Sequence, residues 1–73
     1  MYKGGEDMKF KDYQIVKTLI SFPEKNINSG DIGTIVVCFT VPNEAYEVEF
    51  VNDDGSEKAM FAILPEHIEL ADI

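Results

Sequence analysis

The chain has 73 residues, 45% of them hydrophobic and 27% charged, with a formal net charge of −8. That length makes one small domain with a modest core, and the apolar fraction argues against intrinsic disorder despite the charge. Five lysines stand against four acids in residues 1–25, whereas ten acids and the single base Lys58 follow from residue 26 onward, and there is no arginine. Such a surface repels phosphate backbones, so no nucleic-acid ligand is expected; complementary potentials permit a basic protein partner, while on composition alone the charge is accounted for first by solubility. The lone Cys38 excludes an internal disulfide and points to a reducing compartment. With no membrane-length apolar run and no signal-peptide start, the expectation is a cytoplasmic protein, monomeric or a weak dimer.

Residues 1–11 read as a flexible lead-in and 12–73 as the folded domain. "MYKGGED" has two glycines and no apolar periodicity. The codons it allows resemble a ribosome-binding site, which sets the expected natural start at Met8; the intact mass of the native protein checks this. "YQIVKTLI", Tyr13 to Ile20, then reads as a strand from its Ile, Val, Thr and Tyr content. Tyr13, Ile15 and Leu19 share one face with Lys17, and Val16 and Ile20 occupy the other. The stretch "SFPEKNINSGD" is a long loop, with Pro23, Asn26, Asn28, Ser29 and Gly30 supplying turn chemistry.

"IGTIVVCFTV" is a dense β-branched run with Ile35, Val37, Phe39 and Val41 assigned to one face. Pro42 ends it, having no N–H for a ladder. In "EAYEVEFVNDDG", Tyr46, Val48 and Phe50 alternate with Ala45, Glu47, Glu49 and Val51, and Asp54-Gly55 is a strong hairpin signal. "SEKAMFAIL" returns as the partner strand with Ala59, Phe61 and Ile63 on one face. Pro65 stops it, "PEH" suits one 3-10 turn, and "IELADI" supplies a last short strand. The fold expected is all-β: a small SH3-like five-stranded barrel with a single 3-10 turn before the last strand. Its core is assigned to Ile15, Leu19, Ile35, Val37, Phe39, Tyr46, Val48, Phe50, Phe61 and Ile63.

No catalytic, cofactor or metal site emerges. Asp53-Asp54-Gly55 is too short for a calcium loop. Glu47 and Glu49 share a solvated strand face that gives no reason to split their pKa values. His67 has no second ligand beside it, and Cys38 lacks a positive neighbourhood. The chain is therefore expected to lack enzymatic activity. Glu44, Glu47, Glu49, Asp53, Asp54 and Glu57 nevertheless fall in fourteen residues without a base, a crowding that folding does not require and that costs some stability. The candidate partner surface is Glu47, Glu49, Asp53, Asp54 and Glu57 for steering, with Val51 and Met60 as apolar anchors.

"SGDIGTIV", "EAYEVEFVNDDG" and "AILPEHIEL" together resemble a family of small bacterial proteins of uncharacterised function. The shared pattern is Gly-Asp-x-Gly-Thr-[Ile/Val]-Val, then Glu-Ala-Tyr-Glu-Val-Glu-Phe, an Asp-Gly turn, and a Leu near the end, covering Tyr13 to Leu70. Asn52 stands where such relatives often show Asp. The first element is similar to one found in other SH3-like barrels, some of them RNA-binding, whose basic residues this chain lacks. In size and acidity the resemblance extends to antitoxins and immunity proteins, which implies a non-enzymatic module neutralising a basic, nuclease-type toxin. The alternative is an SH3-like adaptor for a protein unrelated to toxins.

Overall fold

Five strands form one antiparallel sheet in the computed structural model, which describes residues 8–72. They are β1 (Ile15–Thr18), β2 (Ile32–Phe39), β3 (Ala45–Val51), β4 (Glu57–Ile63) and β5 (Ile68–Leu70). The order β4-β3-β2-β1-β5 describes a meander whose last strand returns to the free side of β1. All five strands put apolar residues into one cluster on one side of the sheet, so the sheet has to curl around its own core. Among the described residues no ladder joins β4 to β5, and the barrel stays open.

The all-β, five-stranded expectation holds, as does the 3-10 turn Pro65–His67 ahead of β5. A second 3-10 turn, Pro23–Lys25, shapes the long loop. It is followed by Asn26 in the left-handed region (φ 59°), a conformation Asn tolerates better than most residues. That reversal pairs Phe22 with Ile27 and delivers Ile27 into the core, 1% exposed. Phe22 packs edge-on against Phe61 at 5.0 Å and against His67 at 6.4 Å, closing the loop over the inner face.

The observed core is Phe10, Val16, Ile27, Ile35, Tyr46, Val48, Phe50, Ile63 and Ile68, with Phe61 packed against it. Four of the expected core residues are corrected: Ile15, Leu19, Val37 and Phe39 are each 37–43% exposed. In β1 both faces are apolar, so alternation alone could not choose between them. The inward face is Val16 and Thr18, and the Thr18 hydroxyl satisfies itself by donating to the Asn28 carbonyl at 3.0 Å. In β2 the cause is a β-bulge. Ile35 stands opposite Val48 but Val37 stands opposite Glu47, so Val36 is an extra residue and every later side chain changes face.

Residues 8–11 also need correcting, because they are not lead-in. Phe10 is 6% exposed and meets Tyr46 edge-on at 5.2 Å. Its N–H donates to the Tyr46 hydroxyl at 3.2 Å, and the Lys9 N–H donates to Glu44 Oε2 at 3.1 Å. Past the bulge β2 offers only the small Cys38 opposite Tyr46, and Phe10 fills the space beside it. Residues 1–7 of the lead-in lie outside the described residues.

Candidate functional site

The strand registers bring the acids of β3 together with apolar residues from its neighbours on the outer face of the sheet. Since Tyr46, Val48 and Phe50 point inward, Ala45, Glu47, Glu49 and Val51 point out. Residues directly opposite share their face. Glu49 therefore stands between Thr34 and Met60, and Glu47 between Val37 and Ala62. Ile15 lies beyond Thr34, and Val51 is opposite Glu57. The result is two adjacent carboxylates set in a partly apolar surface. On this face Lys17 is engaged with Glu69 at 3.3 Å.

The tip of the β3–β4 hairpin is a separate environment. The Asn52 N–H donates to the Ser56 carbonyl at 2.8 Å and the Gly55 N–H to the Asn52 carbonyl at 2.9 Å. Gly55 holds φ +89°, a left-handed backbone that costs glycine nothing. Asp54 Oδ1 accepts from the Ser56 N–H at 3.0 Å and from the Ser56 hydroxyl at 2.7 Å. Those two hydrogen bonds hold its carboxyl below the ordinary aspartate value. Asp54 is thus a turn-forming residue. A second bulge leaves Lys58 without an opposite residue, and it reaches across to Asp31 at 3.9 Å. Between the hairpin tip and the long loop lies an open groove of about 700 Å³, whose lining includes Asp31, Phe50, Asn52, Asp53, Asp54 and Lys58.

Residues 13–70 match a family described as a domain of unknown function, DUF4926. The chain belongs to that family. The matched span coincides with the Tyr13–Leu70 stretch over which the resemblance to an uncharacterised family was read. No curated protein and no solved structure matches the chain.

Within this DUF4926 domain the anticipated partner residues divide. Glu47, Glu49, Glu57 and Met60 lie together on the outer face, Asp53 and Asp54 sit at the tip lining the groove, and Val51 belongs to both, on the outer face and in the groove lining. The sequence reading missed Ile15, Val37 and Phe39 as outer-face residues because it had placed them in the core. Gly33 carried a usable signal for the parity of β2 only ahead of the bulge, where it agrees with the inward Ile35 and says nothing of Val37 and Phe39. It is buried, and a Cβ there would lie 2.5 Å from Val48 Cγ1 and 2.9 Å from Phe50 Cε1. An inward glycine in a strand marks a close backbone approach.

Two further side chains are accounted for by packing. Cys38 Sγ lies 3.9 Å from the Phe10 carbonyl oxygen, and burial first, then Asp12, pushes its thiol up to about 11. A thiol so shifted is overwhelmingly protonated near neutral pH and is a poor nucleophile. The His67 carbonyl accepts from the Leu19 N–H at 2.8 Å, and its ring packs on Phe22.

Proposed function

We propose that this DUF4926 domain is a non-enzymatic protein-binding module, an immunity protein or antitoxin that neutralises a basic, nuclease-type bacterial toxin in the cytoplasm. The observation that carries this reading is the pair Glu47 and Glu49, held on a sheet face between the exposed Val37 and Met60. Carboxylates on a molecule of net charge −8 steer a cationic surface into contact, and apolar neighbours that become buried supply the anchoring energy. The five-stranded meander with β5 returning to β1 suits an SH3-like half-open barrel, a scaffold that presents such a face rigidly.

The test is genetic and then biochemical. A neighbouring reading frame encoding a larger basic protein should be toxic when expressed alone, and co-expression of this chain should restore growth. The double variant Glu47→Lys/Glu49→Lys should lose the rescue while remaining folded. A benign neighbour, or rescue by the reversed variant, favours the second reading: an adaptor for an unrelated protein. The observation on that side is the outer edge of β4, Glu57–Ile63, unpaired among the described residues and long enough for strand addition.

A further inference from the structure

Six large apolar side chains exposed on the outer face, Ile15, Ile32, Val37, Phe39, Val51 and Met60, come from four adjacent strands. Apolar side chains exposed together on one face of a small domain, interspersed with carboxylates, point to an interaction site. Among the described residues the ion pairs are Lys17 with Glu69 and Lys58 with Asp31, and neither Glu47 nor Glu49, which lie among these apolar side chains, takes part in one. We infer that this face receives one amphipathic, cationic helix of a protein partner, whose Lys or Arg side chains at positions i and i+4 seat on Glu47 and Glu49. This rests on the partner-binding reading above and names the element that the partner presents.

Charge decides the sign of the occupant. Covering two unpaired carboxylates with purely apolar surface would strip their hydration without compensation, so the cover has to bring cations. A second copy of the chain would set like charges against each other across a shared axis, and an anionic lipid or phosphate surface would be repelled. Backbone hydrogen bonding decides the element. A lone strand laid on a sheet face leaves its own N–H and C=O groups unpaired, whereas a helix satisfies them internally. The spacing agrees. Glu47 and Glu49 are separated by roughly 6.8 Å along β3, and residues i and i+4 of a helix by a rise of about 6 Å. A helix lying along β3, about 10–12 Å across, then has β2 and β4 at about 4.8 Å on either side. Val37 beside Glu47 on one side and Met60 beside Glu49 on the other supply its apolar contacts.

The experiment titrates the isotopically labelled protein with a synthetic helical peptide of about five turns, carrying a leucine stripe with two lysines at i and i+4 within it. The control peptide has the same composition with the lysines at i and i+2, on different helix faces. The first peptide should shift the amides of Val37, Glu47, Glu49 and Met60 and bind about tenfold more tightly than the control. Glu47→Lys/Glu49→Lys should abolish that preference with the rest of the spectrum unchanged. Equal binding of both peptides, shifts confined to the β4 edge, or self-association through this face would overturn the inference. Should neither peptide bind while the cognate basic partner is still lost on charge reversal, the helix assignment falls and the partner-binding reading stands. A cognate partner indifferent to that reversal removes the reading itself.

Discussion

β2 and β3 run side by side, yet β3 keeps one face to the core over its whole length while β2 changes face after Ile35. The contrast originates in their outward residues. In β3 the alternating carboxylates Glu47 and Glu49 make any one-residue slip expensive, because it would bury charge. β2 has Val, Cys, Thr and Phe on either side, so both parities are tolerable and a bulge at Val36 costs little. Alternation is thus a reliable guide to facing only where polarity penalises the alternative. The same bulge turns Val37 and Phe39 outward, beside the acids of β3, and so builds the apolar part of the candidate partner surface.

The sharpest way to break this comparison is to truncate one side chain on each side of the bulge. Ile35 is fully buried, and Ile35→Ala should destabilise by about 2–5 kcal/mol through lost transfer energy and a residual cavity. Val37→Ala, two positions along and formerly assigned to the same face, should stay within about 0.5 kcal/mol, as exposed substitutions do. Urea denaturation with a common slope measures both. Equal losses would mean that β2 keeps one parity throughout and that no bulge exists in solution.

This contrast also explains what could be read ahead of the structure. The β3–β4 hairpin was legible almost residue by residue, since Tyr46, Val48, Phe50 and Ile63 are buried and Asp54-Gly55 makes the turn. The short element Pro65–His67 followed from proline chemistry. Ile15 and Leu19 were misplaced because β1 lacks an outward charge strong enough to fix its facing, Lys17 apart, and a lysine stem is compatible with partial burial. Phe10 and Ile27 were missed for a different reason. Each is an isolated apolar residue in a polar segment, carried into the core by long-range contacts that no local period encodes. The outer-face acids were recognised, but their apolar surroundings depended on a bulge that leaves no composition signal.

Gly33 sharpens the comparison from the other end of β2, ahead of the bulge, where side chains of β3 pack against its backbone. An added Cβ would meet Val48 Cγ1, Phe50 Cε1 and the Glu49 carbonyl oxygen, the last at 3.0 Å. Two of these are buried, tightly packed groups with little freedom to retreat. Gly33→Ala should therefore destabilise by about 1–3 kcal/mol, as overpacking does, although alanine usually stabilises a strand relative to glycine. Thermal unfolding would register it as a fall of roughly 4–8 °C per kcal/mol for a domain of this size. A neutral or higher midpoint would show that β2 and β3 stand further apart here than the geometry indicates.

Beyond the bulge, the contact between the strands is completed by Tyr46 and the N-terminal strap, and pH tests that end of the pair. The Tyr46 hydroxyl donates to Glu44 Oε2 and accepts from the Phe10 N–H. The first of these bonds, with help from the Lys9 N–H, holds the Glu44 carboxyl below its ordinary value. Burial, then the bond to Glu44, pushes the Tyr46 phenol up to about 12. A depressed carboxyl contributes stability above its unfolded value and loses it as pH falls through the folded one; a raised phenol contributes below its unfolded value and loses it as pH rises through the folded one. Tyr46→Phe removes the phenol's contribution and the larger part of the carboxyl's, leaving Glu44 the Lys9 N–H, and leaves the buried Phe10 N–H unpaired, which should cost about 1–3 kcal/mol near neutral pH. The variant should also be less sensitive than the wild type to acid, because the wild type loses the Glu44 contribution as pH falls from the ordinary carboxyl range through the depressed folded value. Denaturation curves at a series of pH values, with the Glu44 carboxyl followed by carbon NMR, give both quantities. An unchanged acid limb in the variant, with the Glu44 titration where the wild type has it, would mean that Phe10 alone holds the strap on the sheet.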